Sequence, residues 1–132
     1  MDRLFLDANV LFSASWRENS RLLRLWKLPG AELVSSAYAV DEARRNLSDS
    51  EARARLETLL DETTIVAEGS LATLPPTLSL AAKDRPILAA AIYAGATHLI
   101  TGDRRDFGKL FGRRIGGVLI LRPADYLKSR QR

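Results

Sequence analysis

Two aspartates stand where a short apolar run stops: Leu4-Phe5-Leu6 ends at Asp7, and Leu99-Ile100-Thr101-Gly102 leads to Asp103. Asp84 opens a helical pattern at Asp84-Arg85-Pro86, and Glu42 lies in another that follows Ser36. If the two apolar runs are neighbouring parallel strands, Asp7 and Asp103 stand side by side at their carboxyl ends, in the crevice where open parallel sheets hold ligands. Carboxylates brought together in that way repel unless a cation or protons compensate them. Several converging acids without histidine or cysteine form the hard oxygen donor set of Mg²⁺ or Mn²⁺. Taken singly, Asp7 and Asp84 also fit the plainer role of helix caps.

The elements that must position these acids follow from periodicity. Arg3 to Asp7, Glu32 to Ser35, Thr63 to Ala67, His98 to Thr101 and Val118 to Leu121 read as strands, and the unbroken Leu4-Phe5-Leu6 run suits a strand buried on both faces. Helical patterns start at Asn9, run from Ser20 to Leu28 before Pro29-Gly30, and follow Ser36 with Ala39, Val40, Ala43 and Leu47 on one face. Ser48-Asp49-Ser50-Glu51 has the form of a capping box for the next helix. Pro86 suits the first turn of a helix with Ile87, Leu88, Ala91, Ile92 and Gly95 inward. Arg104 to Phe111 reads as a short helix and Pro123 to Ser129 as a terminal one. The stretch from Glu68 to Ser79, with Pro75-Pro76, reads as a loop held to the body by Leu71, Leu74 and Leu78. Strands alternating with helices predict an α/β domain with a parallel sheet, because parallel neighbours need helical crossovers.

The chain has 132 residues, enough for one core, so a single domain over 1–132 is expected. The absence of cysteine excludes thiol catalysis, disulfides and cysteine-ligated metal, and the single histidine, His98, excludes a histidine-pair ribonuclease mechanism. His98 reads as a strand-entry residue. The charge at Asp2, Arg3 and Asp7 leaves no room for a signal-peptide core, and Ile87 to Ala96 is about half of the ~20 residues a membrane span needs. A cytoplasmic protein without membrane contact is expected.

Residues 1–66 hold nine basic and eleven acidic side chains, whereas residues 67–132 hold eleven basic and five acidic. The positive charge therefore gathers in the second half. Arg104, Arg105, Lys109, Arg113 and Arg114 crowd the stretch after Asp103, where they could draw phosphates toward an otherwise repellent acidic pocket. Phe12, Trp16, Trp26 and Tyr38 interleave with leucines rather than with basic residues, so they read as core or interface residues instead of base-stacking platforms.

Four local sequences then resemble, in order, the acidic signature segments of the PIN domain family: Leu6-Asp7-Ala8-Asn9-Val10-Leu11, Val40-Asp41-Glu42-Ala43-Arg44-Arg45-Asn46-Leu47, Lys83-Asp84-Arg85-Pro86-Ile87-Leu88, and Leu99-Ile100-Thr101-Gly102-Asp103-Arg104-Arg105-Asp106-Phe107. The end of the chain, Val118 to Leu127, is similar to that family's last strand and proline-started helix. The resemblance implies a three-layer α/β/α sandwich around a central parallel sheet of four to five strands. It also implies a metal-dependent nuclease, usually acting on RNA, in which Asp7, Glu42, Asp84 and Asp103 are the acidic quartet and Asp106 an additional acid. On the same likeness Glu42 takes precedence over its neighbour Asp41, while Asn9 and Thr101 are supporting polar residues. One or two Mg²⁺ ions, with Mn²⁺ as a substitute, would be the cofactor, with Asp7 and Asp103 as direct ligands. Hydrolysis would leave a 5′-phosphate and a 3′-hydroxyl.

Compact members of the family are most often VapC-like toxins, so the resemblance further implies a small antitoxin partner and a homodimer. Two other readings of function stay open: a PIN-like module that binds RNA or protein without cutting, and a housekeeping nuclease with no antitoxin. A receiver domain would want an acid adjacent to Asp7 and a lysine where Arg122 stands, and a haloacid-type phosphatase would want an aspartate where Asn9 stands.

Overall fold

The computed structural model describes residues 1–131. Its sheet has six strands: β1 (Asp2–Leu6), β2 (Ala31–Ser36), β3 (Thr64–Val66), β4 (His98–Ile100), β5 (Arg114–Ile115) and β6 (Val118–Leu121), in the order β3-β2-β1-β4-β6-β5. Five of them run parallel, and β5 closes the edge as an antiparallel partner of β6. The expected count of four to five strands thus becomes six. The added strand is two residues long, too short to carry a period, and Gly116 and Gly117, both at positive φ, make the turn into β6.

Six helices connect and cover the sheet: α1 (Ala8–Ser15), α2 (Ala37–Asn46), α3 (Ser50–Leu60), α4 (Arg85–Tyr93), α5 (Arg104–Phe107) and α6 (Pro123–Ser129). Alternation along β1 sends Leu4 and Leu6 into a cluster with Val10, Leu11, Val40, Leu56 and Tyr126, while Phe5 enters a second cluster with Leu88, Leu99, Phe107 and Ile120. Those two apolar layers, one on each face, are what a three-layer α/β/α sandwich requires. No helix among the described residues is long and apolar enough to cross a membrane.

Three local expectations shift in the structure. Arg21–Lys27 forms 3₁₀ turns instead of an α-helix, begun by Ser20, whose side chain accepts from Leu22 N. Asp49, not Ser48, caps α3, its carboxylate accepting from Ala52 N at 2.9 Å, since a carboxylate and a hydroxyl one residue apart are competing caps. Arg104 to Phe111 divides into α5 and a single 3₁₀ turn at Gly108–Leu110. Ser36 caps α2 as its position predicted, accepting from Ala39 N.

The loop after β3 does lie against the body through the buried Leu74 and Leu80 and the partly buried Leu78, whereas Leu71, expected to help anchor it, is 53% exposed. Gly69 sets how closely: a Cβ there would lie 2.1 Å from the carbonyl oxygen of Ala89. Gly69→Ala must therefore lift the loop from α4. We expect it to destabilise the protein by about 1–3 kcal/mol, read as a lower urea midpoint at unchanged slope.

Candidate active site

Strands β1, β2 and β3 step outward in one direction, and the chain then crosses back to lay β4 on the other side of β1. The switch point therefore falls between β1 and β4, which pair in parallel with Leu6 opposite Ile100. Asp7 and Asp103 follow those two strand ends, as the strand-end argument predicted.

Asp7 is 4% exposed and fully engaged. Its Oδ1 accepts from Ala8 N at 2.7 Å, and its Oδ2 accepts from Asn9 Nδ2 at 3.0 Å and from the Thr101 hydroxyl at 2.8 Å. Burial pushes this carboxyl up to about 6; the Thr101 and Ala8 hydrogen bonds oppose the shift, and the charges of Asp84 and Glu42 add to it. Asn9 and Thr101 together tie the two strand ends. Thr101 Oγ1 also accepts from Asn9 Nδ2 and from Asp103 N, and Asn9 Oδ1 accepts from Gly102 N at 2.8 Å.

Asp103 begins α5, its Oδ1 accepting from Asp106 N at 3.0 Å. Asp84 begins α4 but makes no capping bond, so the plain cap reading does not describe it. Its buried carboxylate instead turns to Lys83, whose Nζ lies 3.3 and 3.1 Å from the two Asp84 oxygens and 2.6 Å from Asp106 Oδ2. Burial raises the Asp84 pKa against the pull of Lys83, while the Lys83 hydrogen bond lowers that of Asp106. Asp84, Asp103 and Asp106 each offer a carboxylate oxygen within 4.8 Å of the others, the one group of three such residues among those described. Asp7 and Glu42 lie outside this trio. Glu42, partly buried on α2, is close enough for its charge to act on Asp7, whereas Asp41 is exposed and faces Arg44 at 3.9 Å.

Two nearby residues had no role assigned from sequence. Lys83 is legible only as the residue before Asp84 in its segment, and Tyr38 reads as a core or interface residue. The Tyr38 hydroxyl donates to Lys83 O at 2.6 Å, and the charges of Glu42 and Asp84 raise its pKa after burial. The other aromatic residues differ from one another. Trp26 is partly buried, its Nε1 donating to Leu59 O and Thr63 Oγ1, whereas Trp16 stacks on Phe12 at 5.3 Å and is 51% exposed.

Of the five basic residues after Asp103, Arg105 and Lys109 line a polar groove of about 290 Å³ that also touches Asp106, Ser79 and Ala81. Arg104, exposed at the start of α5, adjoins them. Arg113 is exposed just before β5, and Arg114 pairs with Leu119, level with His98 at the opposite end of β4. His98 itself contacts Thr97 Oγ1 and packs edge-on against Tyr126, at the end of β4 opposite to the one that leads to Asp103.

The donor set is all carboxylate oxygen, with Asp7 and Asp84 buried and Asp84 converging with Asp103 and Asp106, which suits a hard divalent cation such as Mg²⁺ or Mn²⁺. Residues 3–105 match the family described as PIN domain. No curated protein matches the chain. Among solved structures, a chain from the crystal structure of VapBC2 from Rickettsia felis, bound to a DNA fragment from their promoter, is similar in fold, with a TM-score of 0.69. It shares 15% identity, over 91% of this chain and 98% of that one.

Proposed function

The chain belongs to the PIN domain family, and from that premise we propose that it is an endoribonuclease dependent on Mg²⁺ or Mn²⁺, acting as the toxin of a toxin–antitoxin pair. The observation that carries this reading is the convergence of Asp84, Asp103 and Asp106 within 4.8 Å, beside the buried Asp7, at the switch point of the sheet. Asp7, Glu42, Asp84 and Asp103 all fall within the matched residues 3–105. The fold likeness to a chain of VapBC2 supports a protein partner of the antitoxin kind. The proposal takes 1–132 as one nuclease domain that works as a homodimer in the cytoplasm.

Asp84, Asp103 and Asp106 would hold one or two cations, with the buried Asp7 beside them and Glu42 at the margin of the same cluster. A divalent ion bound there supplies Lewis acidity, generating the nucleophile from water at neutral pH and offsetting charge on the scissile phosphate. The protein's share is orientation. Thr101 and Asn9 hold Asp7 Oδ2 in a fixed direction, and Thr101 also holds the Asp103 backbone, so two acids from different strands keep one spacing. In this reading water is the nucleophile, a route that needs no histidine base, and the products would carry a 5′-phosphate and a 3′-hydroxyl. The test is incubation of the pure, partner-free protein with host RNA, with Mg²⁺ or with chelator, and mapping of new 5′ ends. Discrete cuts that vanish with chelator are expected; cutting that persists in chelator, or no cutting together with no Mn²⁺ binding, would end the proposal.

Arg104, Arg105 and Lys109 are proposed to receive phosphates along the groove beside Asp106, with Arg113 and Arg114 reached only by a longer RNA. Replacing Arg104 and Arg105 together by alanine is expected to weaken RNA binding. If each contacts one phosphate of a single strand, the slope of log affinity against log salt falls by about 1.4. An unchanged slope would remove both residues from the RNA path.

A further inference from the structure

Lys83 puts its ammonium group in front of the Asp84 carboxylate, 3.3 and 3.1 Å from its two oxygens, and reaches Asp106 Oδ2 at 2.6 Å. Its side chain is nevertheless 61% exposed, so it has room to leave, while that of Asp84 is 9% exposed and does not. The main chain beneath it is anchored, because the Tyr38 hydroxyl donates to Lys83 O. The oxygens that Lys83 takes are members of the carboxylate trio that also includes Asp103.

We propose that Lys83 is a resident counter-cation that competes with the divalent ion for Asp84 and Asp106, and so sets the metal affinity of the cluster. This rests on the reading of these acids as a metal site. Two physical effects give the competition its sign. A centred approach to both Asp84 oxygens takes the position from which a cation would bind them, and an ammonium group a few ångströms from a divalent ion repels it. Lys83 must swing outward as the ion enters. The exposure of its side chain keeps the size of the effect modest, since a solvated ion pair is worth little. The opposite role, a lysine that positions Asp84 for metal, predicts the opposite sign.

The experiment is Mn²⁺ binding to the whole protein without RNA, by calorimetry or by the loss of the free-ion paramagnetic resonance signal, for wild type, Lys83→Met and Lys83→Arg. Lys83→Met is expected to bind Mn²⁺ about five- to tenfold more tightly and to melt lower than wild type in chelator, with the order reversed at saturating Mn²⁺. Lys83→Arg, which keeps the charge, should stay within about twofold of wild type. Equal or weaker binding by Lys83→Met, with wild-type binding intact, overturns the competition and leaves the metal site standing. No Mn²⁺ binding by any of the three overturns the metal site and the competition with it.

Discussion

Asp103→Asn is expected to reduce RNA cleavage by at least about a thousandfold while leaving the melting temperature within a few degrees of wild type. The two halves of that expectation come from different atoms. Asp103 Oδ1 accepts from Asp106 N, and an asparagine oxygen can keep that bond, so the cap on α5 survives. The negative charge is lost. A carboxylate that holds a catalytic cation acts through charge and direct coordination, and a neutral amide supplies neither at comparable strength. The measurement is single-turnover cleavage of a mapped RNA at saturating Mg²⁺, beside a thermal melt of the same preparation. Turnover by the pure mutant at a tenth of the wild-type rate or more would sink the nuclease assignment for this cluster. In that event the cutting would come from other groups, and the role left for this cluster is binding without cleavage.

That Asp7 and Asp103 follow neighbouring strand ends was legible in sequence because it depends on topology. Each acid ends an apolar run, and once β1 and β4 pair in parallel the two ends must meet. The supporting roles of Asn9 and Thr101 came from the family likeness, and their hydrogen bonds to Asp7 give that likeness a physical content. What sequence could not supply depends on side-chain rotamers and on short segments. Lys83 precedes Asp84 in the chain, yet nothing in that spacing says whether its flexible stem points to solvent or across to Asp106. Asp106 lies three residues after Asp103, one helical turn, so a short helix brings both acids to the same trio as Asp84. That convergence needs the position of α4 relative to α5. Similarly, the basic cluster reads as one patch along the chain, but the turn through Gly112 and the β5 edge carry Arg114 to the level of His98, leaving Arg105 and Lys109 at the groove. The missed strand β5 is too short to present a repeat of two, whereas Leu22, Leu25 and Trp26 stand at spacings of three and four that suit the 3₁₀ turns of Arg21–Lys27 as well as an α-helix.

Asp7→Asn is expected to abolish cleavage and, in chelator at pH 7.5, to make the protein more stable. Asp7 titrates at about 6 in the folded chain against 3.8 for the free side chain, chiefly because it is buried. Between those two values the folded state holds the proton more strongly than the unfolded state does. Asp7 therefore contributes stability that is fully present below about pH 3.8 and is lost as pH rises through 6. The loss is on the order of 3 kcal/mol at ~1.4 kcal/mol per pH unit. Asparagine carries no charge to bury, but its single acceptor oxygen cannot serve Ala8 N at one position and Asn9 and Thr101 at the other, which returns about 1–2 kcal/mol. The net gain at pH 7.5 should be about 1–2 kcal/mol, or roughly 5 °C in melting temperature, and it should shrink to nothing or reverse near pH 4. Saturating Mg²⁺ should also reverse it, because the wild type gains stability from the bound ion and the mutant does not. A mutant less stable than wild type at pH 7.5 in chelator would mean that the hydrogen bonds to Asp7 outweigh the cost of burying its charge. Stability gained by losing the charge is what a functional acid predicts. On the proposed reading, a cation bound at the β1–β4 crevice would offset what burial of that carboxylate costs.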